Sequence, residues 1–345
     1  MSKAPETIVW LVTSKCNLNC RHCYAKEYLG EEDLDTASAL KVVREAAEAG
    51  VKHIHYTGGE PLLRRDIKEV LKETLELGVQ ATLFTNSTLV TRDLARELSN
   101  LGILVYTSID GPSREVHEAL RGPGTWGRLV KGLKALVGEG VEVHANISVA
   151  ETNWAYVGDT IAKALELGAS SVSIIPTMPA GNALRYGTHV TPSHFAKAVA
   201  RAARAAEELG VTVGVWCAPF TEAVTRSPNL EWSNCRDRDV MDLSPSGRVL
   251  TCDVMNYSVG NVLELGVRGA WEALREDPVM VRASKPRLKP PCTTCPLRSL
   301  CRGGCYARAW LAYGDVEAPD PLCPRVARAV KRGEKLFTHQ PRSIR

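Results

Sequence analysis

The first 215 residues repeat one unit, a helical stretch that ends in glycine and is followed at once by an apolar strand. Glycine commonly follows a helix because it adopts the left-handed conformation without a Cβ penalty. Regular alternation of helices with near-continuous apolar strands indicates a parallel sheet covered by helices. Six helix–strand junctions follow this pattern: Gly50–Val51, Gly78–Val79, Gly102–Ile103, Gly140–Val141, Gly168–Ala169 and Gly210–Val211.

The spacing of apolar residues predicts seven strands and six helices in this region. The predicted strands are 7–13, 51–57, 79–85, 103–109, 141–149, 171–176 and 211–216. The predicted helices are 37–49, 67–77, 94–101, 129–137, 157–167 and 195–209. Seven strands without a long interruption favour a barrel over a flat sheet, so we expect an α/β fold, a partial (β/α)6 TIM-like barrel. In such barrels the reacting groups lie at the C-terminal ends of the strands.

Eleven cysteines lie in two zones, three near the N-terminus and eight in the last 130 residues. The N-terminus lacks a charged start followed by an apolar segment, so we expect a cytoplasmic protein rather than a secreted one. In a reducing compartment, clustered cysteines bind metal more often than they form disulfides. The net charge of +4 is small and scattered, which argues against a nucleic-acid partner. No apolar run is long enough to span a bilayer.

The three N-terminal cysteines, Cys16, Cys20 and Cys23, have C-x3-C-x2-C spacing on the loop after the first predicted strand. Iron–sulfur clusters normally take four cysteines, so three would leave one iron open to a small molecule. The alternative is a zinc site completed by His22 or another residue. A second pair of zinc ligands does not lie nearby in the sequence, which disfavours that alternative.

Two further motifs follow predicted strands. Thr57–Pro61 (TGGEP) follows the second strand, and Ser108–Gly111 (SIDG) follows the fourth, with Arg121–Gly122 shortly after. Together with the three cysteines, these motifs resemble those of the radical S-adenosylmethionine (SAM) superfamily, and the resemblance covers the whole chain. It implies that SAM binds the open iron of a 4Fe–4S cluster and is split by one electron into methionine and a 5′-deoxyadenosyl radical. The radical would then abstract hydrogen from a substrate.

The resemblance also implies which residues contact SAM. The backbone of Gly58 and Gly59 would approach the methionine amino group, with the Glu60 carboxylate nearby. Ser108 is expected to hydrogen-bond the ribose, and Arg121 to pair with the methionine carboxylate. His22 and Ile175 are expected beside the adenine. Asn86 and Asn146 are further candidates, but each could equally be a satisfied amide at a strand end.

Seven C-terminal cysteines form a second pattern, C-x11-G-x4-C, then C-x2-C-x5-C-x3-C, then a last cysteine. This pattern resembles the SPASM extension, which holds auxiliary 4Fe–4S clusters in a subset of radical SAM enzymes. Prolines crowd the region and hydrophobic periodicity is weak, so we expect metal to supply much of its folding free energy. The resemblance implies an outer cluster on Cys292, Cys295, Cys301 and Cys323, and an inner cluster on Cys235, Cys252 and Cys305.

The inner set is one ligand short of four. We expect Cys217 to complete it; the alternative is a buried Cys217 thiol and an inner cluster with an open iron. Asp253 directly follows Cys252, and the resemblance to sulfatase maturases implies that it takes a proton from the substrate. A solvated or loop-capping aspartate is the alternative. We place the radical SAM barrel at residues 1–216 and a small irregular α+β Fe–S domain, the SPASM domain, at 217–345.

The resemblance implies an oxidoreductase with SAM and three 4Fe–4S clusters as cofactors. Two substrate classes fit this resemblance. The first is a peptide or protein, as in maturases, and the second is a tetrapyrrole side chain in an alternative haem pathway. Reduction requires an outside donor such as a ferredoxin or flavodoxin, and we expect no membrane partner. A non-enzymatic alternative, a ferredoxin-like electron carrier, explains the cysteines but not the Gly-Gly-Glu-Pro motif or the barrel.

Overall fold

Eleven strands form one sheet in the computed structural model, which describes residues 4–237 and 239–332. All seven predicted strands are present, with ends shifted by two residues or fewer. The strands are β1 Thr7–Thr13, β2 His53–Gly58, β3 Gln80–Thr85, β4 Leu104–Ser108, β5 Val143–Val149, β6 Ser171–Pro176, β7 Val213–Val215, β8 Leu230–Trp232, β9 Val240–Leu243, β10 Arg248–Leu250 and β11 Ser258–Asn261.

The strand order is β11-β10-β9-β1-β2-β3-β4-β5-β6-β7-β8. Every neighbouring pair from β9 through β1 to β8 is parallel, whereas β10 runs antiparallel to both β9 and β11. The C-terminal ends of the parallel strands therefore meet at one edge of the sheet. This arrangement confirms the predicted α/β class with a parallel sheet, and the sheet is extended beyond the prediction by β8 on one side and β9 to β11 on the other.

Helices connect the parallel strands, and all six predicted helices are present. The six junction glycines have φ between 65° and 95°, as their position after a helix predicted. The helices are α1 Thr36–Ala49, α2 Ile67–Glu76, α3 Arg92–Asn100, α4 Arg114–Arg121, α5 Thr125–Gly138, α6 Val157–Glu166, α7 Gly181–Arg185, α8 Pro192–Leu209, α9 Val262–Glu276, α10 Pro278–Ser284, α11 Arg298–Cys301, α12 Tyr306–Tyr313 and α13 Pro324–Lys331. The sequence did not predict α4, because only His117 and Leu120 of its eight residues are buried.

The helix-facing side of the sheet carries the main apolar core. Trp10 of β1 and Tyr56 of β2 are completely buried there, against an apolar stripe of α1 that includes Val42 and Ala46. Because side chains alternate along a strand, the residues between these positions point to the opposite side, the lumen of the barrel.

The lumen side of β3, β4 and β5 carries aromatic rings in contact with one another. The Phe84 and Tyr106 rings stack with centroids 4.5 Å apart, and the Tyr106 and His144 rings are 4.3 Å apart. Trp216, directly after β7, stacks on His144 at 5.7 Å. Phe84, Tyr106 and Trp216 keep part of their surface exposed, so these rings form an aromatic wall of the lumen.

The C-terminal part of the chain is built into the same sheet and core as the N-terminal part. Strand β9 pairs in parallel with β1, with Val9 opposite Asp242. Met241 and Trp271 are buried in the same apolar cluster as Trp10. Residues 240–276 therefore pack as part of the barrel. The predicted division at residues 216 and 217 stays a prediction, and residues 333–345 of the second predicted domain lie outside the described residues.

Candidate active site

The loop that carries the first three cysteines is held by the Gly-Gly-Glu turn after β2. The Gly59 amide donates a 2.8 Å hydrogen bond to the carbonyl of Thr13, and the Glu60 amide donates a 2.7 Å bond to the carbonyl of Lys15. A Cβ atom on Gly59 would lie only 2.1 Å from the Lys15 carbonyl oxygen. Glycine is therefore required so that the turn can approach the loop directly before Cys16.

The three thiols of this loop lie close enough to interact electrostatically. Burial, together with the neighbouring thiols of Cys20 and Cys16, raises the pKa of Cys23 to about 11. Burial also raises the pKa of both Cys16 and Cys20. Deprotonating three adjacent buried thiols requires nearby positive charge, which a bound metal cluster supplies. All three are free thiols, so this donor set fits an iron–sulfur cluster with three protein ligands.

A buried ion pair lies beside Cys20. The Nε atom of Arg121, at the end of α4, donates a 2.5 Å hydrogen bond to Oδ2 of Asp110, and Nη1 of Arg121 lies 3.9 Å from the Cys20 sulfur. The other Asp110 oxygen accepts a 2.8 Å bond from the Ser148 amide. Burial alone would raise the pKa of Asp110, but Arg121 and His22 oppose it and hold the pKa below its ordinary value. Arg121 is therefore oriented by Asp110 before any ligand binds.

His22 lies between Cys20 and Cys23 in the sequence and is 8% exposed. Its Nε2 atom is 3.6 Å from Oδ2 of Asp110. Burial lowers the pKa of His22 to about 4, so the ring is neutral at physiological pH. Its Nδ1 atom is buried and has no hydrogen-bond partner within residues 4–237 and 239–332.

Glu60 joins two strand ends. The side chain is completely buried, and its oxygens accept bonds from the Thr85 hydroxyl at 2.7 Å and the Asn86 amide at 2.8 Å. A third bond comes from the Leu62 amide. Burial raises the pKa of Glu60, and these three donors oppose that effect. The carboxylate thus ties the turn after β2 to the end of β3.

The Asn86 side chain connects the end of β3 to the cysteine loop. Its Nδ2 atom donates to Oδ1 of Asn17 at 2.9 Å, and its Oδ1 atom accepts bonds from the amide and hydroxyl of Thr88. The Asn86 amide therefore has hydrogen-bond partners within the protein, and its contact with SAM stays a prediction. Asn146 has a weaker contact, 3.4 Å from the Ser173 hydroxyl.

Ser108 and Ile175 lie at the C-terminal ends of β4 and β6, on either side of β5. Ser108 pairs with Asn146, and Ile175 pairs with Ser148 two residues further along β5. Paired residues of parallel strands point to the same side of a sheet, so both predicted SAM contacts face the lumen. Each is partly exposed and available to a ligand.

The C-terminal cysteines separate into two groups. In the inner group, the thiols of Cys217 and Cys235 are hydrogen-bonded, and this bond raises the pKa of Cys217 well above its usual value. Cys305 and Cys252 are near enough to raise it further. Cys217, at a positive φ of 53°, therefore lies with the three cysteines that the sequence assigned to the inner cluster.

The other four cysteines form an outer group. Cys292, Cys295, Cys301 and Cys323 line one cavity. Burial, together with the neighbouring thiols of Cys323 and Cys295, raises the pKa of Cys292 to about 12. Each group thus provides four clustered sulfur donors, the set that 4Fe–4S clusters normally take.

Asp253 lies between the first cysteine loop and the inner group. The Tyr24 hydroxyl donates to its carboxylate, and the Cys252 thiol lies 3.6 Å from its other oxygen. The Asp253 amide donates a 2.7 Å bond to Asp242 of β9, and the carboxylates of both residues lie within 4.8 Å of the Cys252 sulfur. Burial raises the pKa of Asp253. The pKa of Asp242 is raised well above its usual range, because the side chain is buried and lies next to the Asp253 charge.

Sequence reasoning did not identify Asp110, Asp242 or Tyr24 as parts of the site. Asp110 belongs to the SIDG motif, and its position directly after β4 was the signal that could have identified it. Tyr24 and Asp242 contact Asp253 across more than ten residues of sequence, and no local pattern indicates such pairs.

A partial parallel barrel with three clustered thiols at the end of its first strand defines an enzyme that binds a cluster with an open iron. Residues 10–164 match the family model of the Radical SAM superfamily. The chain thus carries a region that matches this superfamily, as the motifs predicted, followed by a cysteine-rich C-terminal region. It is therefore an enzyme that binds SAM and a 4Fe–4S cluster, which excludes the simple electron carrier.

The chain is similar to curated proteins of two kinds. It is 29% identical to an AdoMet-dependent heme synthase of Oleidesulfovibrio alaskensis, over 96% of this chain and 91% of that protein. It is also 29% identical to a PqqA peptide cyclase of Methylocella silvestris, over 92% and 87% of the two proteins. A solved structure of anSMEcpe with bound AdoMet shares the fold, with a TM-score of 0.73, 19% identity and 95% coverage of each chain.

Among residues 4–237 and 239–332, no helix combines the length and the apolar composition that a membrane-spanning helix needs.

Proposed function

We propose that this enzyme oxidises a peptide or protein substrate after cleaving SAM. The observation that carries this proposal is the position of Asp253, bonded to Tyr24 of the first cysteine loop and in contact with Cys252 of the inner group. A proton acceptor between the radical-generating loop and a second set of sulfur donors suits a reaction that removes both hydrogen and electrons. The similarity to PqqA peptide cyclases supports a peptide as the substrate.

Eleven cysteines would hold three 4Fe–4S clusters. The SAM-binding cluster would be held by Cys16, Cys20 and Cys23, the inner by Cys217, Cys235, Cys252 and Cys305, and the outer by Cys292, Cys295, Cys301 and Cys323. When bound, the first cluster supplies the electron that splits SAM into methionine and a 5′-deoxyadenosyl radical. We propose a ferredoxin or flavodoxin as the outside donor, in the reducing cytoplasm.

The chain itself would bind and orient SAM. Asp110 holds Nε of Arg121, which leaves the terminal guanidinium nitrogens directed toward Cys20 and able to pair with the methionine carboxylate. Because the Gly59 and Glu60 amides donate to the cysteine loop, carbonyl oxygens of the turn are the groups left for the methionine amino group. Ser108 and Ile175 would contact the ribose and the adenine, with His22 beside them.

Asp253 would accept the proton that leaves the substrate when its hydrogen atom has been removed. Its raised pKa, caused by burial, moves it closer to neutral pH and makes it a stronger base than an exposed aspartate. The Tyr24 hydroxyl would hold the carboxylate in one orientation.

Tetrapyrrole side-chain modification is the second candidate. The similarity to an AdoMet-dependent heme synthase supports it over almost the whole chain. The aromatic wall of Phe84, Tyr106, His144 and Trp216 offers ring faces on which a flat macrocycle could stack.

The test separates SAM cleavage from substrate choice. The reconstituted enzyme, SAM and dithionite should form 5′-deoxyadenosine, and the Cys16→Ala, Cys20→Ala, Cys23→Ala triple variant should form none. Asp93→Asn, at a position that is 89% exposed, is the control for a substitution outside the SAM site. Deuterated peptides encoded near the gene, and deuterated propionate-bearing tetrapyrroles, are then compared. Deuterium in 5′-deoxyadenosine from the peptide alone supports the proposal, and deuterium from the tetrapyrrole alone would replace it with the second candidate.

A further inference from the structure

Arg308 of α12 and Asp320 form an ion pair that is almost completely buried. Nη1 of Arg308 donates to both carboxylate oxygens of Asp320, at 3.1 and 2.9 Å, and the side chains are 3% and 0% exposed. A buried ion pair loses so much hydration that it often stabilises a fold less than apolar residues of the same size. Its presence among the C-terminal cysteines therefore calls for a specific reason.

One side of this pair contacts the inner cysteine group. Oδ2 of Asp320 accepts a 2.8 Å bond from the Cys305 amide, and Nη2 of Arg308 donates a 2.6 Å bond to the Cys217 carbonyl. The Arg308 amide also lies 3.4 Å from the Cys305 sulfur. The first two contacts fix the backbone of Cys305 and Cys217, which are far apart in the sequence.

The other side of the pair contacts the outer group. Oδ1 of Asp320 accepts a 2.9 Å bond from the Leu322 amide, and its carbonyl accepts a 3.1 Å bond from the Cys323 amide. The Asp320 amide donates to the Gly303 carbonyl at 2.9 Å. A Cβ atom on Gly304 would lie 2.3 Å from the Asp320 Cβ, so the turn between Cys301 and Cys305 is pressed against this aspartate.

The Asp320 carboxylate lies beside both groups. The Asp320 carbonyl is bonded to the Cys323 amide of the outer group, at 3.1 Å. Oδ2 of Asp320 accepts the 2.8 Å bond from the Cys305 amide of the inner group. One carboxylate therefore lies within electrostatic reach of both sets of sulfur donors.

We propose that the Arg308–Asp320 pair is a positioning unit shared by the two auxiliary cysteine groups. It holds the inner and outer thiols in one relative arrangement and places a common negative charge beside both. The proposal rests on the proposed function, in which each group holds a 4Fe–4S cluster. Hydrogen bonds and net charge near a cluster set its reduction potential, so Asp320 should influence both clusters together.

The experiment uses the full chain with Cys16, Cys20 and Cys23 replaced by alanine, so that only auxiliary iron remains. Two variants are made in this background. Asp320→Asn removes the negative charge. The double variant Asp320→Asn, Arg308→Met removes both charges and keeps the side-chain volume about the same. Asp315→Asn is the matched control, because Asp315 pairs with Lys289 in the same region, where the two side chains are 26% and 40% exposed. Iron and sulfide per chain are measured, and both clusters are titrated with reductant and followed by electron paramagnetic resonance.

We expect Asp320→Asn to shift both auxiliary potentials to more positive values, or to remove iron from both groups, while Asp315→Asn changes neither. If Asp320→Asn does not fold because Arg308 is left unpaired, the double variant tests the proposal in its place. It should also alter the electron paramagnetic resonance signals of both auxiliary clusters. An effect on one cluster alone, or on neither in a variant that keeps its iron, would overturn the proposal. Absence of auxiliary iron from the background protein itself would instead overturn the cluster assignment on which the proposal rests.

Discussion

Asp110 and Arg121 are joined by a 2.5 Å hydrogen bond from Nε to Oδ2, and this bond points the rest of the guanidinium toward Cys20. Asp110 is itself held by the Ser148 amide at the end of β5, so the orientation of Arg121 depends on two neighbouring strands. A SAM carboxylate would meet an arginine that is already ordered. Most of the entropy cost of ordering this side chain is therefore met during folding rather than on binding.

Asp110→Asn should weaken SAM binding. The variant keeps the shape of the side chain but replaces a charge-assisted bond to Arg121 by a neutral one, a loss of about 1–2 kcal/mol. We expect the Kd for SAM to rise by about 5- to 30-fold, which equilibrium dialysis with labelled SAM measures. Asp93→Asn is the control, since Asp93 is 89% exposed and pairs with Arg96 at the surface. An unchanged Kd in Asp110→Asn would contradict this role.

Gly59→Ala should prevent the first cysteine loop from taking its position. The new Cβ would meet the Lys15 carbonyl at 2.1 Å, and overpacking of this kind costs about 1–3 kcal/mol or more. We expect a lower Tm and the loss of the iron that the first cysteine loop would hold. In contrast, Gly127→Ala in α5 has nothing within 4 Å of its new Cβ and should stabilise the protein by about 0.5–1 kcal/mol. Equal iron content in the two variants would refute the prediction.

Cys217→Ala should disturb the inner cluster and spare the outer one. The Cys217 thiol is bonded to Cys235, so its removal takes one of four sulfur donors from the inner group. We expect loss of the inner signal in electron paramagnetic resonance, with the outer signal unchanged. Cys235→Ala serves as the positive control. If Cys217→Ala keeps both signals unaltered, the inner cluster has an open iron and Cys217 is a buried thiol.

Asp253→Asn should separate SAM cleavage from product formation. The amide cannot accept a proton, and loss of a general base commonly slows a reaction by about 100- to 10,000-fold. We expect 5′-deoxyadenosine to form while the oxidised product is reduced by that factor, as mass spectrometry of both species measures. Asp239→Asn, an exposed position close by in the sequence, is the control. A product yield near that of the unaltered enzyme would show that Asp253 is not the base.

The stability of the protein should fall as the pH drops below about 6.5. Burial lowers the pKa of His144 to about 4, so between these values the unfolded chain binds a proton that the folded chain does not. The His144 contribution to stability is then lost as the pH falls through this window, about 2 kcal/mol from pH 7.5 to pH 5, and His22 and His117, whose pKa values burial also lowers to about 4, add losses of the same sign. His144→Gln keeps a polar side chain beside Ser171 and Ser173 without titrating. Its Tm should change less over this range than that of the unaltered protein, and equal slopes would contradict the assignment.

The sequence predicted the parts of the fold and site that depend on local patterns. Each repeat ends in a glycine with positive φ, and the first and outer cysteine groups contain close spacings that bring thiols together. Contacts between distant residues left no such signal. The Tyr24–Asp253 bond joins residues 229 positions apart, and no local pattern indicates that Arg308 and Asp320 form a buried pair. Strand β9 was missed because four residues are too few to show a period.

The parallel pairing of β9 with β1 has a consequence for how the chain is made. Strand β1 leaves the ribosome long before its partner on one side, β9, which begins only at Val240. At a translation rate of about 5–20 residues per second, that edge of β1 stays unpaired for on the order of ten to fifty seconds. An open edge is a template for strands of other nascent chains. Cells that produce this enzyme should therefore depend on chaperones that shield the emerging N-terminal half, and slow translation should increase aggregation.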